Sequence, residues 1–233
     1  MVESADSKAT MEAISGRGLV KHFKIKNYKP PEIQKPGDEL FPLMDKKGSI
    51  IGSVSRTEAH SKAEKIHAGV GILIVDRSLQ EIYLPMRGPK KDKDPNCLDF
   101  STGEHSTILD QETGQLETWN QTAKRGITEE TGLNDNEFNL VRIPGHRLDE
   151  DDPTQTEWQT FFIVELERRR FNANQEEIAQ GGSWFKIRDL LEIVDGRFSE
   201  NNKLKDYTIR PMLLSVLGKD EVRKAIEKLI TSL

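Results

Sequence analysis

The strongest chemical signal in the chain is the segment TWNQTAKRGITEETGL, which carries two adjacent glutamates near the end of a predicted helix. With about 3.6 residues per turn, Trp119, Ala123 and Ile127 fall on one stripe of this helix. Glu130 lies about three turns beyond the first of them and falls on the same stripe. A carboxylate on a core-facing stripe is costly unless it is paired or bound to a metal ion. The pattern indicates either a metal site or a solvated Glu-Glu pair near a helix end, which is the commoner of the two.

Charge repulsion between these neighbouring carboxylates is the reason a cation would bind there. Glu129 precedes Glu130 directly, and a hard divalent cation would relieve their repulsion. Mg²⁺ prefers carboxylate oxygens together with substrate phosphates as its ligands. Arg125 lies four residues before Glu129, so the two side chains can form an ion pair along the helix. This arginine is therefore placed to orient the glutamates.

The spacing of these residues resembles the Nudix box. That box runs Gly, five residues, Glu, seven residues, Arg-Glu, an aliphatic residue, any residue, Glu-Glu, any residue, Gly and an aliphatic residue. The positions that match are Glu117, Arg125, Ile127, Glu129, Glu130, Gly132 and Leu133. The resemblance covers roughly residues 38–217. It implies a Nudix α/β/α sandwich, with a mixed β-sheet between helices and a hairpin extension at the front.

Two positions depart from the box. Gln111 stands at the first Gly position, and Gly126 stands where the box has a glutamate that is usually a metal ligand. Glycine also weakens a helix by about 1 kcal/mol relative to alanine. Another carboxylate could take over the missing role, and Glu176, Glu177 and Glu157 are candidates. Alternatively, the glycine at 126 allows close packing against a neighbour.

A second set of residues precedes the box and resembles the Nudix branch that contains isopentenyl-diphosphate isomerase and its hydrolase-like relatives. In this branch a hairpin leads to an arginine and then to two histidines separated by six residues, here Arg56, His60 and His67. In the isomerase such histidines bind a divalent metal, and imidazole is a good ligand for such ions. Two solvated histidines in a polar linker are the alternative. The resemblance implies that His60 and His67 are metal ligands.

The basic segment MRGPKKDKDP follows the next predicted strand. Arg87 and Lys91 match positions that hold the diphosphate in the isomerase, and Pro95 keeps the same spacing. A cation-rich loop beside a carboxylate-metal cluster suits a phosphate substrate, whichever family it belongs to. A solvated lysine-rich loop is the alternative.

The catalytic loop of the isomerase is not reproduced. Its Cys-Gly-His is replaced by Thr-Gly-Glu at 102–104, with His105 one place later and Cys97 five residues before the threonine. Threonine cannot replace a thiol as an acid. Of the carboxylate pair that the isomerase has before a strand, this chain keeps one member, with Gln155 and Glu157 at the two positions. Glu157 remains a candidate ligand or acid-base group, although it could also be a water-facing glutamate at the start of a strand.

The elements that must position these residues follow from local patterns. Gly48 predicts the turn of a β-hairpin between ELFPLM and SIIGSV, and Gly132 predicts the end of the helix at 118–131. Residues 87–117 are predicted to be a long irregular loop, and Asp149 to Asp152 a solvated acidic loop. Strands are predicted at 19–25, 68–75, 81–86, 138–143 and 157–166, and helices at 187–194, 208–217 and 219–231. The mixture predicts helices packed on a sheet.

Composition limits the class of protein. The 233 residues suit a polar N-terminal extension, 1–37, and one Nudix domain, 38–233. A net charge of −5 does not favour nucleic-acid binding, which needs clustered Lys and Arg. The single cysteine, Cys97, excludes an intrachain disulfide and favours a reducing compartment. With a polar N-terminus and no apolar run of about 20 residues, we expect a cytoplasmic protein without a membrane partner.

These features predict a metal-dependent hydrolase that cleaves a diphosphate linkage in a small molecule, with a nucleoside diphosphate derivative as the favoured substrate. Mg²⁺ or Mn²⁺ would be held by Glu129 and Glu130, and the catalytic residues would include Arg125 and Glu157. Three alternatives stay open: an isopentenyl-diphosphate isomerase-like enzyme, a non-catalytic Nudix-fold binding module, and an α/β protein in which the glutamate-rich helix is coincidental. A homodimer is also left open, because Nudix relatives are often dimers.

Overall fold

The computed structural model describes residues 23–24, 38–91, 94–110, 114–152, 155–171, 182–197 and 199–231. Gln111, Glu176 and Glu177 lie outside these residues, as does most of the 1–37 extension. The helices are α1 Arg56–Ala59, α2 Trp119–Thr131, α3 Ile187–Val194, α4 Pro211–Leu217 and α5 Asp220–Thr231, with a short 3₁₀ helix at Arg168–Arg170. The strands are β1 Phe23–Lys24, β2 Leu40–Met44, β3 Ile50–Ser55, β4 His67–Asp76, β5 Glu81–Pro85, β6 Thr102–His105, β7 Ile108–Asp110, β8 Gln115–Leu116, β9 Asn139–Asp152, β10 Gln155–Glu165 and β11 Gly182–Lys186.

The chain folds into two compact units that alternate along the sequence. The first unit contains the described residues of Met1–Gly69, His105–Thr122 and His146–Gln159. The second unit contains those of Val70–Glu104, Ala123–Gly145 and Thr160–Leu233.

The second unit is built on a mixed sheet with the strand order β11-β5-β4-β10-β9. β5 is antiparallel to both neighbours, with Tyr83 opposite Ile74 on one side and Trp184 on the other. Every residue of β4 is buried, as expected for a central strand covered on both faces. Side chains such as Leu73 and Leu213 join strands and helices in one apolar core. The prediction of an α/β fold with a mixed sheet and several helices is confirmed.

The first unit contains the predicted β-hairpin of β2 and β3, which is confirmed. Gly48 adopts a φ of +81° in the turn, a backbone conformation that residues other than glycine rarely adopt. The Asp45 carboxylate accepts hydrogen bonds from the backbone N–H groups of Lys47 and Ser49, at 2.9 and 2.8 Å, and so closes the turn. β2 also pairs with the start of β4 through Leu43 and His67. The hairpin thus fixes where β4 begins.

The predicted helix at 118–131 is confirmed as α2, and both of its ends are capped. Thr118 Oγ1 accepts a hydrogen bond from the Gln121 N–H, and the Gln121 side-chain oxygen accepts one from the Thr118 N–H at 2.8 Å. This reciprocal pair is a capping box. Gly132, at φ +71°, donates its N–H to the carbonyl oxygen of Thr128 and ends the helix.

Two loop predictions are wrong. Residues 87–117 contain the short strands β6, β7 and β8, and β8 pairs with both β7 and β1. Asp149 to Asp152 belong to β9. β6 and β8 pair with β4 and β1, which are distant in sequence, and β9 pairs with the next strand, β10. This pairing keeps polar residues of low strand propensity extended. None of the helices in the described part of the chain combines the length and apolar composition needed to cross a bilayer.

Candidate functional site

Three histidines from separate elements of the first unit come together. His60 caps the C-terminus of α1, His67 opens β4, and His105 closes β6. One ring nitrogen of each lies within 4.8 Å of those of the other two, and the ring centroids are 4.9–5.2 Å apart. The prediction that His60 and His67 belong to one site is therefore supported by their geometry, and His105 joins them.

Strand pairing and aromatic packing hold the histidines in place. Phe41 on β2 is fully buried and stacks on His67 and His105, with ring centroids 5.4 and 4.9 Å away. The Ser106 N–H donates to the carbonyl oxygen of Ala68 at 3.0 Å, which aligns the end of β6 with the start of β4. The histidine rings are thus fixed before any ligand binds.

Glu157 brings a carboxylate to two of these histidines, His67 and His105. Its Oε1 lies 3.6 Å from Nε2 of His105 and 4.0 Å from Nε2 of His67, and Gln159 donates to its other oxygen at 2.9 Å. Burial opposes ionisation of this carboxyl group. The close contact with His105, with smaller effects of His67 and the Gln159 amide, outweighs burial and lowers the pKa of Glu157 below its usual value. Glu157 is therefore an anion at neutral pH.

His67 has the properties of a metal ligand. Its side chain is fully buried, and burial, with the neighbouring His105, lowers its pKa to about 4, so the ring is neutral at pH 7. Nδ1 lies 3.4 Å from the carbonyl oxygen of Lys65, an arrangement that favours the proton on Nδ1 and the lone pair on Nε2. Within the described residues, Nε2 makes no hydrogen bond. A buried lone pair among imidazole and carboxylate groups fits a divalent transition-metal ion.

Helix α2 presents the predicted carboxylates. Trp119, Ala123 and Ile127 are buried, as the stripe predicted, and Glu130 on the same stripe is half-buried. Glu129 is exposed and accepts from Arg125 Nη1 at 3.3 Å, which confirms the predicted ion pair.

Arg125 has a second and closer carboxylate partner in the second unit. Its Nη1 lies 2.9 Å from Oε2 of Glu104, which comes from β6. Glu104 lies directly over Gly126, because a Cβ on that glycine would be 2.3 Å from the Glu104 Cγ. The interpretation that Gly126 allows close packing against a neighbour is thus supported.

Glu117, the first glutamate of the box, has a structural role in the first unit. Its side chain is buried and accepts hydrogen bonds from the Thr107 N–H and the Thr122 hydroxyl, both at 3.1 Å. These bonds hold the start of α2 against the segment between β6 and β7. In the second unit, burial and the charge of the Glu130 carboxylate raise the pKa of Tyr83 on β5.

The two predicted phosphate-binding residues differ in their surroundings. Arg87 forms an ion pair with Asp99 at 2.7 Å, and Arg210 contacts the same carboxylate at 3.2 Å. Lys91 is exposed at the end of the same loop. Arg210 also contacts Asp94 at 3.2 Å, so this group of two arginines and two aspartates has no net formal charge.

Two residues of these sites were not predicted for the roles that the structure indicates. Glu104 was assigned only to a loop, and His105 was noted only as displaced by one position. For His105 the sequence does offer a signal, which is the alternation of side chains along an extended strand. Gly103 and His105 are two residues apart and therefore share one face of β6. No local signal identifies Glu104 as the partner of Arg125, because 21 residues separate them.

Comparison with known proteins identifies similar structures. No family model and no curated protein matches the chain. The crystal structure of DR0079 from Deinococcus radiodurans is 17% identical, with a TM-score of 0.56 over 80% of this chain and 98% of that one. At this identity the likeness shows a shared fold alone.

Two other similar structures are those of hydrolases. One is a hydrolase of the NUDIX family from Clostridium perfringens, which is 14% identical with a TM-score of 0.43 over 70% of this chain and 97% of that one. The other is the dihydroneopterin triphosphate pyrophosphohydrolase of E. coli, which is 13% identical with a TM-score of 0.41 over 71% of this chain and 96% of that one.

Proposed function

We propose that this protein is a cytoplasmic, metal-dependent Nudix-type hydrolase that cleaves a diphosphate linkage in a small molecule, with a nucleoside diphosphate derivative as the first substrate to test. One observation carries the proposal. Arg125 forms ion pairs with Glu104 and Glu129, on a helix whose box spacing also supplies Glu130. An arginine held between two carboxylates fixes the direction of the Glu129 carboxylate in advance, and preorganised groups of this kind suit phosphate chemistry.

In this proposal the residues of α2 have distinct roles. Glu129 and Glu130 hold Mg²⁺ or Mn²⁺, for which carboxylate oxygens are the preferred ligands. The bound cation would supply an activated water and neutralise charge on the phosphates. Arg125 fixes the direction of the Glu129 carboxylate through the 3.3 Å ion pair. Glu130 is half-buried and so has less freedom to turn away than the exposed Glu129.

Arg87 and Lys91 bind the distal phosphate in this proposal. The Arg87 guanidinium is already oriented by its 2.7 Å contact with Asp99, so little side-chain entropy is lost when an anion binds. Arg210 shares the Asp99 carboxylate at 3.2 Å and also contacts Asp94 at 3.2 Å, so it offsets only part of the charge on Asp99. Lys91 adds a mobile point charge.

His60, His67 and His105 form a further divalent-metal site, which Glu157 completes. Three imidazoles and a carboxylate are a suitable donor set for a transition-metal ion such as Mn²⁺. The buried Nε2 of His67 and the anionic Glu157 support this role. Because Glu157 is ionised, it would act as a ligand or a general base.

The histidine group also favours a second function, isopentenyl-diphosphate isomerisation, because the related isomerase uses two histidines at this spacing. Thr102 argues against isomerisation. It occupies the position of the catalytic thiol, and its hydroxyl group is a poor acid. A non-catalytic binding module is the third candidate. Its chief support was Gly126, and the contact of Gly126 with Glu104 gives that glycine a packing role instead.

The test is turnover of a panel of nucleoside diphosphates, nucleoside diphosphate-linked compounds and isopentenyl diphosphate with Mg²⁺ or Mn²⁺. We expect metal-dependent release of phosphate or nucleotide by the wild type and a loss of at least 100-fold in kcat/KM in Glu130→Gln. Glu221→Gln, which removes an exposed carboxylate on α5, is the matched control and should keep full activity.

Each outcome separates the three functions. Conversion of isopentenyl diphosphate to its isomer without hydrolysis would replace the hydrolase by the isomerase. Tight binding of one compound without turnover at any metal concentration would identify a binding module. Hydrolysis that survives Glu130→Gln would remove the α2 carboxylates from the mechanism.

A further inference from the structure

Glu104 and Gly126 fit together so closely that each restricts the other. A Cβ on residue 126 would lie 2.3 Å from Cγ of Glu104, and 3.4 Å from its Cβ and Cδ. The first distance is far below van der Waals contact, so a side chain at 126 must push the middle of the Glu104 side chain aside. Glycine lowers the stability of a helix interior, which makes its presence at 126 informative. The contact with Glu104 is the structural reason for it.

The position that Gly126 allows brings the Glu104 carboxylate to Arg125. Oε2 of Glu104 lies 2.9 Å from Arg125 Nη1, and the same nitrogen lies 3.3 Å from Oε2 of Glu129. The Glu104 side chain is 20% exposed and that of Glu129 is 53% exposed. The less exposed partner has fewer orientations and is screened less by solvent. Glu104 therefore sets the direction of the guanidinium, and Glu129 follows it.

We propose that Glu104 is a positioning residue of the α2 site: packed over Gly126, it fixes Arg125 and through it the carboxylate of Glu129. The effect on turnover rests on the proposed hydrolase function. The packing of Glu104 over Gly126 and its contact with Arg125 do not depend on that function. It also accounts for the departure of this chain from the Nudix box. A carboxylate is still present beside Arg125, but it comes from β6 instead of residue 126 of the helix.

The geometric part is tested with a double-mutant cycle in thermal unfolding. Gly126→Ala should lower the unfolding midpoint in the wild-type background, because Glu104 is displaced. In the Glu104→Ala background the same change should raise the midpoint, because the space is empty and alanine favours the helix. An effect of the same sign in both backgrounds would overturn the packing inference, whatever the enzyme does.

The positioning part is tested by kinetics with the substrate identified in the panel. Glu104→Gln keeps the shape and removes the charge, and we expect a fall of about 10- to 100-fold in kcat with KM changed less than about 3-fold. Glu104→Asp should recover part of the lost kcat, and Gly126→Ala should resemble Glu104→Gln. Asp135→Asn, an exposed carboxylate paired with Lys124, is the control and should match the wild type. An unchanged kcat in Glu104→Gln would overturn the positioning role.

A spectroscopic readout separates this inference from the proposed function. The side-chain Nε–Hε signal of Arg125 in NMR reports the order of the guanidinium without any substrate. We expect a single ordered signal in the wild type and a shifted, narrowed signal of a mobile side chain in Glu104→Gln. If the wild type turns over nothing, the hydrolase proposal fails, but this signal still decides the role of Glu104. A signal that is unchanged by Glu104→Gln would overturn it.

Discussion

Substitution of Asp76 by asparagine tests the buried polar contact that joins two distant parts of the second unit. Asp76, at the end of β4, is 3% exposed. Its Oδ1 accepts from the Ser78 hydroxyl at 2.6 Å and the Leu79 N–H at 3.0 Å, and its Oδ2 accepts from the Arg168 N–H at 2.7 Å. Asparagine keeps the shape but replaces one acceptor with an NH₂ group. Whichever way the amide turns, at least one donor loses its partner.

The size of the effect follows from these contacts. A hydrogen bond to a charged group contributes about 1.5–3 kcal/mol, and a buried donor without an acceptor has a comparable cost. We expect Asp76→Asn to lower the free energy of unfolding by about 3 kcal/mol. For a protein of this size, that loss lowers the unfolding midpoint by about 6–12 °C.

The effect should depend on pH with a defined sign. Burial opposes ionisation of Asp76, but the Ser78 hydroxyl and the Arg168 and Leu79 N–H groups outweigh it and lower the pKa below the usual value. A lowered folded-state pKa contributes stability that is fully present above the unfolded value of about 3.9 and is lost as the pH falls through the folded value. The difference between wild type and Asp76→Asn should therefore be largest near pH 7 and shrink below about pH 4.

Urea unfolding between pH 3 and pH 7 measures the loss in the free energy of unfolding and the dependence of that loss on pH. Asp135→Asn is the matched control, because Asp135 is exposed and its ion pair with Lys124 is solvated, so its unfolding free energy should stay close to the wild-type value. A loss below about 1 kcal/mol at pH 7 would refute the stabilising role of the three hydrogen bonds. A loss that does not change with pH would refute the role of the charge.

Two further predictions concern the first unit. Gly48→Ala should lower the free energy of unfolding by about 2–4 kcal/mol, because φ is +81° and a Cβ would lie 2.7 Å from the Trp158 ring. Urea unfolding monitored by tryptophan fluorescence measures this loss. An unchanged free energy of unfolding would mean that the hairpin turn rearranges freely. His67→Asn should abolish a Mn²⁺-induced rise in the unfolding midpoint, which corresponds in the wild type to about 2.7 kcal/mol at 100 times the dissociation constant; an equal rise in both proteins would exclude His67 as a ligand.

Local sequence patterns were sufficient for the elements that carry the site. The stripe of Trp119, Ala123 and Ile127 has the period of a helix, and Gly132 supplies the backbone conformation that ends it. The ion pair of Arg125 and Glu129 follows from their spacing of four residues alone. All of these depend on residues within a few turns of one another, where the sequence distance fixes the distance in space.

Contacts between elements distant in sequence decided the rest. His105 joins His60 and His67 because β6 pairs with β4, and the polar residues of β8 form a strand that pairs with the distant β1 as well as with β7. The sequence showed Gly126 as a departure from the box, and it allowed close packing as one explanation. Only the tertiary structure identified Glu104 as the neighbour, because a steric fit between a helix and a strand depends on how the two pack and not on their own residues.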